Sequence, residues 1–378
     1  MTGQRGSAMA EIDQKIERLQ RIARDAQLAG VLLGTQYNFA WLTGGGTNRI
    51  DGSREAGAGT LLVAANGRHF VLANAIEMPR LLDEELTGLD FEPVEFPWAA
   101  ERGDPACIAT HATRVLNTSA AIGSDLPLSG ALTIDGVVAR ARAPLTEEEV
   151  ERYRALGRET GAVVGRACRS LEPGLEEREI ARRVGDAIAS IGARAIVNLI
   201  AADERIARYR HPVPTGARWQ HVALVAVCAE RSGLVVSVTR IVTTTPSDEL
   251  TRRTRATATV FARMIAATRP GATGREIFAA AVRAYEEVGF PGEEWKHHQG
   301  GAAGYRSREW VAHPTSDEIV QDRQAFAWNP TITGTKVEET VLVDRRGFEV
   351  LTTTPGWPSI SCTVDGVDLL VADVLVLG

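Results

Sequence analysis

Ala223-Leu224-Val225-Ala226-Val227-Cys228 and, five residues on, Leu234-Val235-Val236-Ser237-Val238-Thr239-Arg240-Ile241 decide how this chain is read. Both fit short buried strands. Helices flank them on either side. Upstream, Pro144 disfavours helix before it, and Thr146 with Glu149 makes a capping-box pattern that starts a long helix running to about Leu171. Pro173-Gly174 breaks it, and a second helix covers 177–191. Downstream, helices fit 248–268 and 274–288, parted by Pro270-Gly271, and short strands with turns follow from about 295. Nearer the start, 11–29 reads as an amphipathic helix with Ile12, Ile16, Leu19, Ile22 and Ala23 on one face and Gly30 as its stop. Val31–Leu33 reads as a buried strand, and 59–63 with 69–72 as a hairpin turning at Asn66-Gly67. The pattern predicts two domains, 1–142 and 143–378.

The chain has 378 residues, 44% of them hydrophobic, which is enough for two real cores. A net charge of −6 and the lack of a long basic run argue against a nucleic-acid partner. No run reaches the roughly 18 apolar residues that span a bilayer, so no membrane role is expected. The polar opening Met1–Ser7 predicts no secretory signal, and four scattered cysteines fit a reducing, cytoplasmic setting.

Chemistry-bearing residues concentrate in the second half. His211 follows Arg210 and precedes Pro212. A histidine trades a proton near neutral pH without help from a metal, and a rate limb at about 6–7 would follow. His297-His298-Gln299-Gly300-Gly301-Ala302-Ala303-Gly304-Tyr305 is the densest polar and glycine-rich run, where backbone can approach a ligand closely. Arg306, Arg308 and Glu309 follow, and an arginine there suits a substrate carboxylate. Trp328-Asn329-Pro330 comes next. In Lys336-Val337-Glu338-Glu339-Thr340, read as a strand, Lys336 and Glu338 share a face and Glu339 points away. Near the N-terminus, Tyr37–Gly44, containing Trp41, leads into a glycine-rich loop carrying Arg49.

The order and spacing of these segments resemble the pita-bread family, which includes aminopeptidase P, prolidase, methionine aminopeptidase and creatinase. The implied fold is α+β: a small α/β N-terminal creatinase-like domain followed by a pita-bread catalytic domain. The family places five metal ligands at positions that here are Ala226, Ser237, His298, Asn329 and Glu338. Two of the five ligand types survive, and two hard or borderline cations need anionic oxygens. The expectation is no metal and no cofactor. The resemblance places His211 where creatinase keeps its acid/base, while the acidic residues creatinase carries at the positions of Thr239 and Val337 are absent, which argues against creatine as substrate.

The resulting expectation is a metal-independent hydrolase of a C–N bond in a small polar molecule, with His211, His298 and Glu338 catalytic. Arg49, Gln299, Tyr305, Arg306, Arg308, Asn329, Glu339 and Trp41 would bind a substrate that carries a carboxylate. His297 is expected to turn away from the centre. A homodimer would bring Arg49 to the partner's pocket. The alternatives are a lyase abstracting a proton beside a carbonyl, a non-catalytic binding protein, and a metal-dependent Xaa-Pro-type peptidase.

Overall fold

The computed structural model describes residues 2–378, with side chains from Ala10 onward apart from Val367. The chain forms two compact units, Met1–Glu149 and Val150–Gly378.

In the first unit, α1 (Thr2–Asp25) buries Ile12, Ile16, Leu19 and Ala23. It ends earlier than expected. Gln27 adopts φ +53° and Leu28 N bonds back to Ala23 O, so Gly30 opens a strand instead of stopping the helix. That strand is β1 (Gly30–Thr35), followed by α2 (Gln36–Leu42), whose N-terminus the Thr35 hydroxyl caps. The hairpin forms as read: β2 (Ala56–Ala64) pairs with β3 (His69–Asn74), Leu62 opposite Phe70, with Gly67 at φ +95° in the turn. With β4 (Glu92–Phe96), β5 (Gly123–Ser124) and β6 (Leu132–Thr133) they make one sheet ordered β4-β3-β2-β1-β5-β6.

After shorter helices that include Cys107–Leu116 and Asp135–Arg142 comes the long α3 (Glu147–Arg169). Its reciprocal cap is present: Glu149 N donates to Thr146 Oγ1 and Thr146 N to Glu149 Oε2. Lys15 Nζ lies 2.8 Å from Glu149 Oε1. This buried contact draws the cap turn into the first unit, so the contacts divide at 149/150 instead of 142/143.

The second unit continues through α4 (Glu177–Ala189), β7 (Arg194–Ala202), β8 (Val222–Arg231), β9 (Leu234–Thr243), α5 (Asp248–Ala267) and α6 (Gly274–Glu287). After α6 come β10 (Gly300–Ala303), β11 (Trp310–Val311), β12 (Gln324–Trp328), β13 (Thr331–Ile332), β14 (Thr335–Lys336), β15 (Glu339–Asp344) and β16 (Gly347–Val350). A hairpin, β17 (Ser359–Val364) and β18 (Val367–Ala372), and a short β19 (Leu375–Val376) complete it. One sheet runs β19-β9-β8-β7 and another β11-β10-β12-β15-β16. Phe261, Met264, Ile277 and Tyr285 of α5 and α6 share a core with Phe326, Trp328 and Val341 of the second sheet.

Two features position the site. In the β8–β9 register Ala226 opposes Thr239 and Cys228 opposes Ser237, so all four side chains share one face. The two sheets are stitched together there, with Ser237 N donating to Thr340 Oγ1 at 2.7 Å and Thr239 N to Glu338 O at 3.1 Å. That second bond takes Val337 and Glu338 out of any strand, so the expected continuous strand is broken between β14 and β15. Among the described residues no helix is long and apolar enough to cross a membrane.

Candidate active site

His211 sits on an irregular segment pinned at both ends. Arg210 Nη2 donates to Thr333 Oγ1 at 2.7 Å and reaches Glu293 Oε2 at 3.3 Å. Thr215 gives both its N–H and its hydroxyl to the buried Glu177. The pinned loop brings His211 Nε2 to 3.1 Å from His297 Nε2, and His297 Nδ1 lies 3.0 Å from Thr331 Oγ1. His297 therefore turns into the centre, against the sequence expectation. Residues 296–297 form a bend, not an extended segment, so the adjacent rings of His297 and His298 fall on one side, 4.5 Å apart. The His298 Nδ1 atom is buried with no hydrogen-bond partner.

All three rings are held neutral at pH 7. Burial is the largest cause for each. Lys336 adds to it for all three and Arg308 for His211 and His298, while Glu338 opposes it. His297 is driven down to about 2 and His298 to about 4, while His211 is lowered from its usual value.

Beside the rings lies a buried charge cluster. Arg308 Nη1 donates to Ser237 Oγ at 3.1 Å, and Nη2 reaches Asn329 Oδ1 at 3.3 Å and Glu338 Oε1 at 3.0 Å. Lys336 Nζ lies 2.8 Å from Glu338 Oε2, which also accepts from Thr239 Oγ1 at 2.7 Å. Burial pushes the Glu338 carboxyl upward, but the two cations outweigh it and hold it at about 2.

Residues 151–345 match the sequence profile of metallopeptidase family M24, and 15–156 that of the creatinase/prolidase N-terminal domain. The chain belongs to metallopeptidase family M24. A Xaa-Pro dipeptidase of Pyrococcus furiosus is 27% identical over 232 residues, covering 58% of this chain and 66% of that relative, just under two thirds of its length. Among solved structures, the prolidase from Pyrococcus horikoshii superposes with a TM-score of 0.75 at 18% identity, over 90% of this chain and 98% of that one. The Xaa-Pro dipeptidase from Bacillus anthracis gives 0.73 at 19%, over 91% and 98%. These likenesses establish the two-domain α+β fold expected from the sequence.

The family name implies metal ions, and the donor chemistry of this chain does not fit a pair of them. Of the five aligned positions, Ala226 has no donor atom, and Ser237 and Asn329 offer neutral oxygens. The single carboxylate, Glu338, is engaged by both cations. One guanidinium contacts positions 237, 329 and 338 together. A divalent ion there would have to displace a fixed positive charge. Among the described residues one other donor set exists: a ring nitrogen from each of His211, His297 and His298, all within 4.8 Å of one another, which could hold one borderline ion.

The structure thus gathers His211, His298, Arg308, Asn329 and Glu338, and adds His297, Lys336, Thr239 and Thr331, which the sequence reading left out of the site. Lys336 was legible as sharing a face with Glu338; His297 was hidden by the bend.

Three residues expected to bind substrate, Gln299, Glu339 and Trp41, do other work. Gln299 is fully buried, its amide donating to Glu294 O and His297 O and accepting from Tyr285 OH, so it braces the turn. Glu339 pairs with Arg240 at 2.8 Å on the far side of the backbone. Trp41 lies fully buried in the first unit under Lys15, whose ammonium bonds its carbonyl. Tyr305 is buried, with its N–H on Glu309 Oε1. Arg306 is half-buried and gives its carbonyl to Gly304 N. Arg49 is half-buried in the 43–55 loop, its N–H on Thr47 Oγ1.

Proposed function

We propose that this chain hydrolyses the C–N bond of a small peptide-like substrate, with His211 transferring the proton. The observation that carries this is the His211–His297 contact beside the Arg308–Glu338–Lys336 cluster. A neutral His211 accepts a proton from water as its oxygen adds to the carbonyl carbon. It returns the proton to the nitrogen as the C–N bond breaks, so atoms and charge balance. Hydrolysis is favoured over a lyase reaction by family membership and by the names of the curated relatives.

A second reading, a metal-dependent Xaa-Pro dipeptidase, is supported by those same names, which speak for it over a metal-free enzyme. The donor chemistry at the five aligned positions speaks the other way. Turnover of a panel of Xaa-Pro and other dipeptides, with chelator and with added manganese or cobalt, separates the two. Chelator-insensitive turnover supports the metal-free reading, and turnover only with added metal supports the second. No turnover on any amide would remove the hydrolase altogether.

In the active protein His211→Ala should fold normally and lose about 10²–10⁴-fold in rate. A wild-type rate would move the proton transfer elsewhere. The homodimer carrying Arg49 to a partner's pocket belongs to the same proposal, and a monomer in light scattering would end it.

A further inference from the structure

We propose that Arg308 stands in for a bound metal ion and, with Lys336, forms a seat for the carboxylate of a small substrate. This goes beyond the hydrolase reading, because the seat does not depend on which bond is broken.

Position is the first support. The guanidinium reaches Ser237, Asn329 and Glu338, three side chains contributed by separate segments that converge only in the folded chain. A planar fork with its donors spread over fixed acceptors is a permanent, oriented positive charge. It supplies the attraction for anionic oxygen that a cation would supply, without being released into solvent.

Charge is the second. Arg308 and Lys336 share the single carboxylate of Glu338, so these three groups leave one positive charge unbalanced. Arg308 and Lys336 are 14% and 7% exposed, so the excess charge lies in a largely dry place where an anion is held more strongly than at the surface.

Unused hydrogen-bonding capacity is the third. Arg308 Nε and His298 Nδ1 are both buried without a partner. The Arg308 Nε–H is a buried donor and costly when unpaired, and an incoming carboxylate has two oxygens to offer it and Lys336 Nζ.

The test measures binding, not turnover, so it stands or falls apart from the hydrolase reading. Carbon-13 acetate is titrated into the full chain and followed by NMR, with acetamide as the neutral isostere. Saturable acetate binding is expected in the wild type. Arg308→Gln and Lys336→Met should each weaken it at least tenfold, Arg308→Lys should restore part of it, and acetamide should not compete. Equal acetate affinity in every folded variant, or equal competition by acetamide, would overturn the seat. If the variants do not fold, equilibrium dialysis of the wild type against manganese and cobalt decides. No two-metal stoichiometry is expected, and two bound equivalents would overturn the proposal, since metal ions and the guanidinium cannot share the place.

Discussion

Glu338 and Glu339 are adjacent in sequence and equally buried at 4% exposure, yet their carboxyls titrate in opposite directions. On the pocket side Glu338 faces two cations, and its acidity is held at about 2. On the other side burial raises the pKa of Glu339, with only Arg240 and Thr352 opposing it. Arg240 also divides its donors among Thr239 O, Thr352 O and Thr354 Oγ1. Thr354 Oγ1 in turn donates to Gly161 O of α3, where a Cβ at Gly161 would lie 2.2 Å from Thr353 O. The Glu339 side is therefore a packed joint between helix and sheet. The Glu338 side carries surplus charge and unused donors. Burial alone does not separate structure from function here; the count of counter-charges and free donors does.

Arg240→Ala gives the largest effect on this contrast. Removing one partner of a buried ion pair typically costs about 3–5 kcal/mol, so urea unfolding should show a loss of that order. Arg308→Ala should cost clearly less, because Glu338 keeps Lys336 as its counter-charge; equal costs would erase the distinction. Next in size, Glu338→Gln should lower turnover by about 10²-fold, because it frees the two cations from their fixed positions. Glu339→Gln should act mainly on stability, with kcat/KM near wild type once folded protein is counted. Equal kinetic losses in both variants would make Glu339 part of the site.

The smallest effect is on pH dependence. The folded values of about 2 for His297 and about 4 for His298 lie below the ordinary 6.5, so between these limits the unfolded chain binds more protons. Stability from the neutral rings is therefore full above about 6.5 and is lost as pH falls through 4 towards 2. Thermal melts at pH 7 and 4.5 should differ less in His298→Gln than in wild type, and an unchanged difference would deny the burial of charge. Burial lowers the His211 pKa, which moves the acid limb of the rate downward from the ordinary histidine value.

The five longest helices were legible because their punctuation is local. The reciprocal cap read at Thr146 and Glu149 forms, and the structure adds a second one at Thr273 and Glu276. Strand β7 escaped the reading because Arg194 and Asn198 are the only polar residues in Arg194–Ala202, too few to show an alternating period. The break at Val337–Glu338 depends on a bond to β9, 99 residues earlier in sequence. The ligand positions could be counted off along the chain. That Arg308 fills the space between them could not, since its partners lie 71, 21 and 30 residues away.

Thr331 carries a consequence of its own. Its hydroxyl has one hydrogen, which goes to Asn329 O at 3.2 Å. It must then accept from His297 Nδ1, which leaves His297 Nε2 bare. The 3.1 Å contact next to it needs a hydrogen, so in this arrangement His211 would bear it on Nε2 and keep its lone pair on Nδ1. A side chain two hydrogen bonds away thereby chooses the basic atom, and the relay runs in one direction like a valve. Thr331→Val would remove the choice. Nitrogen-15 NMR should then show His211 divided between its two tautomers, where the wild type holds one, and the chain would keep its histidines while losing their sense of direction.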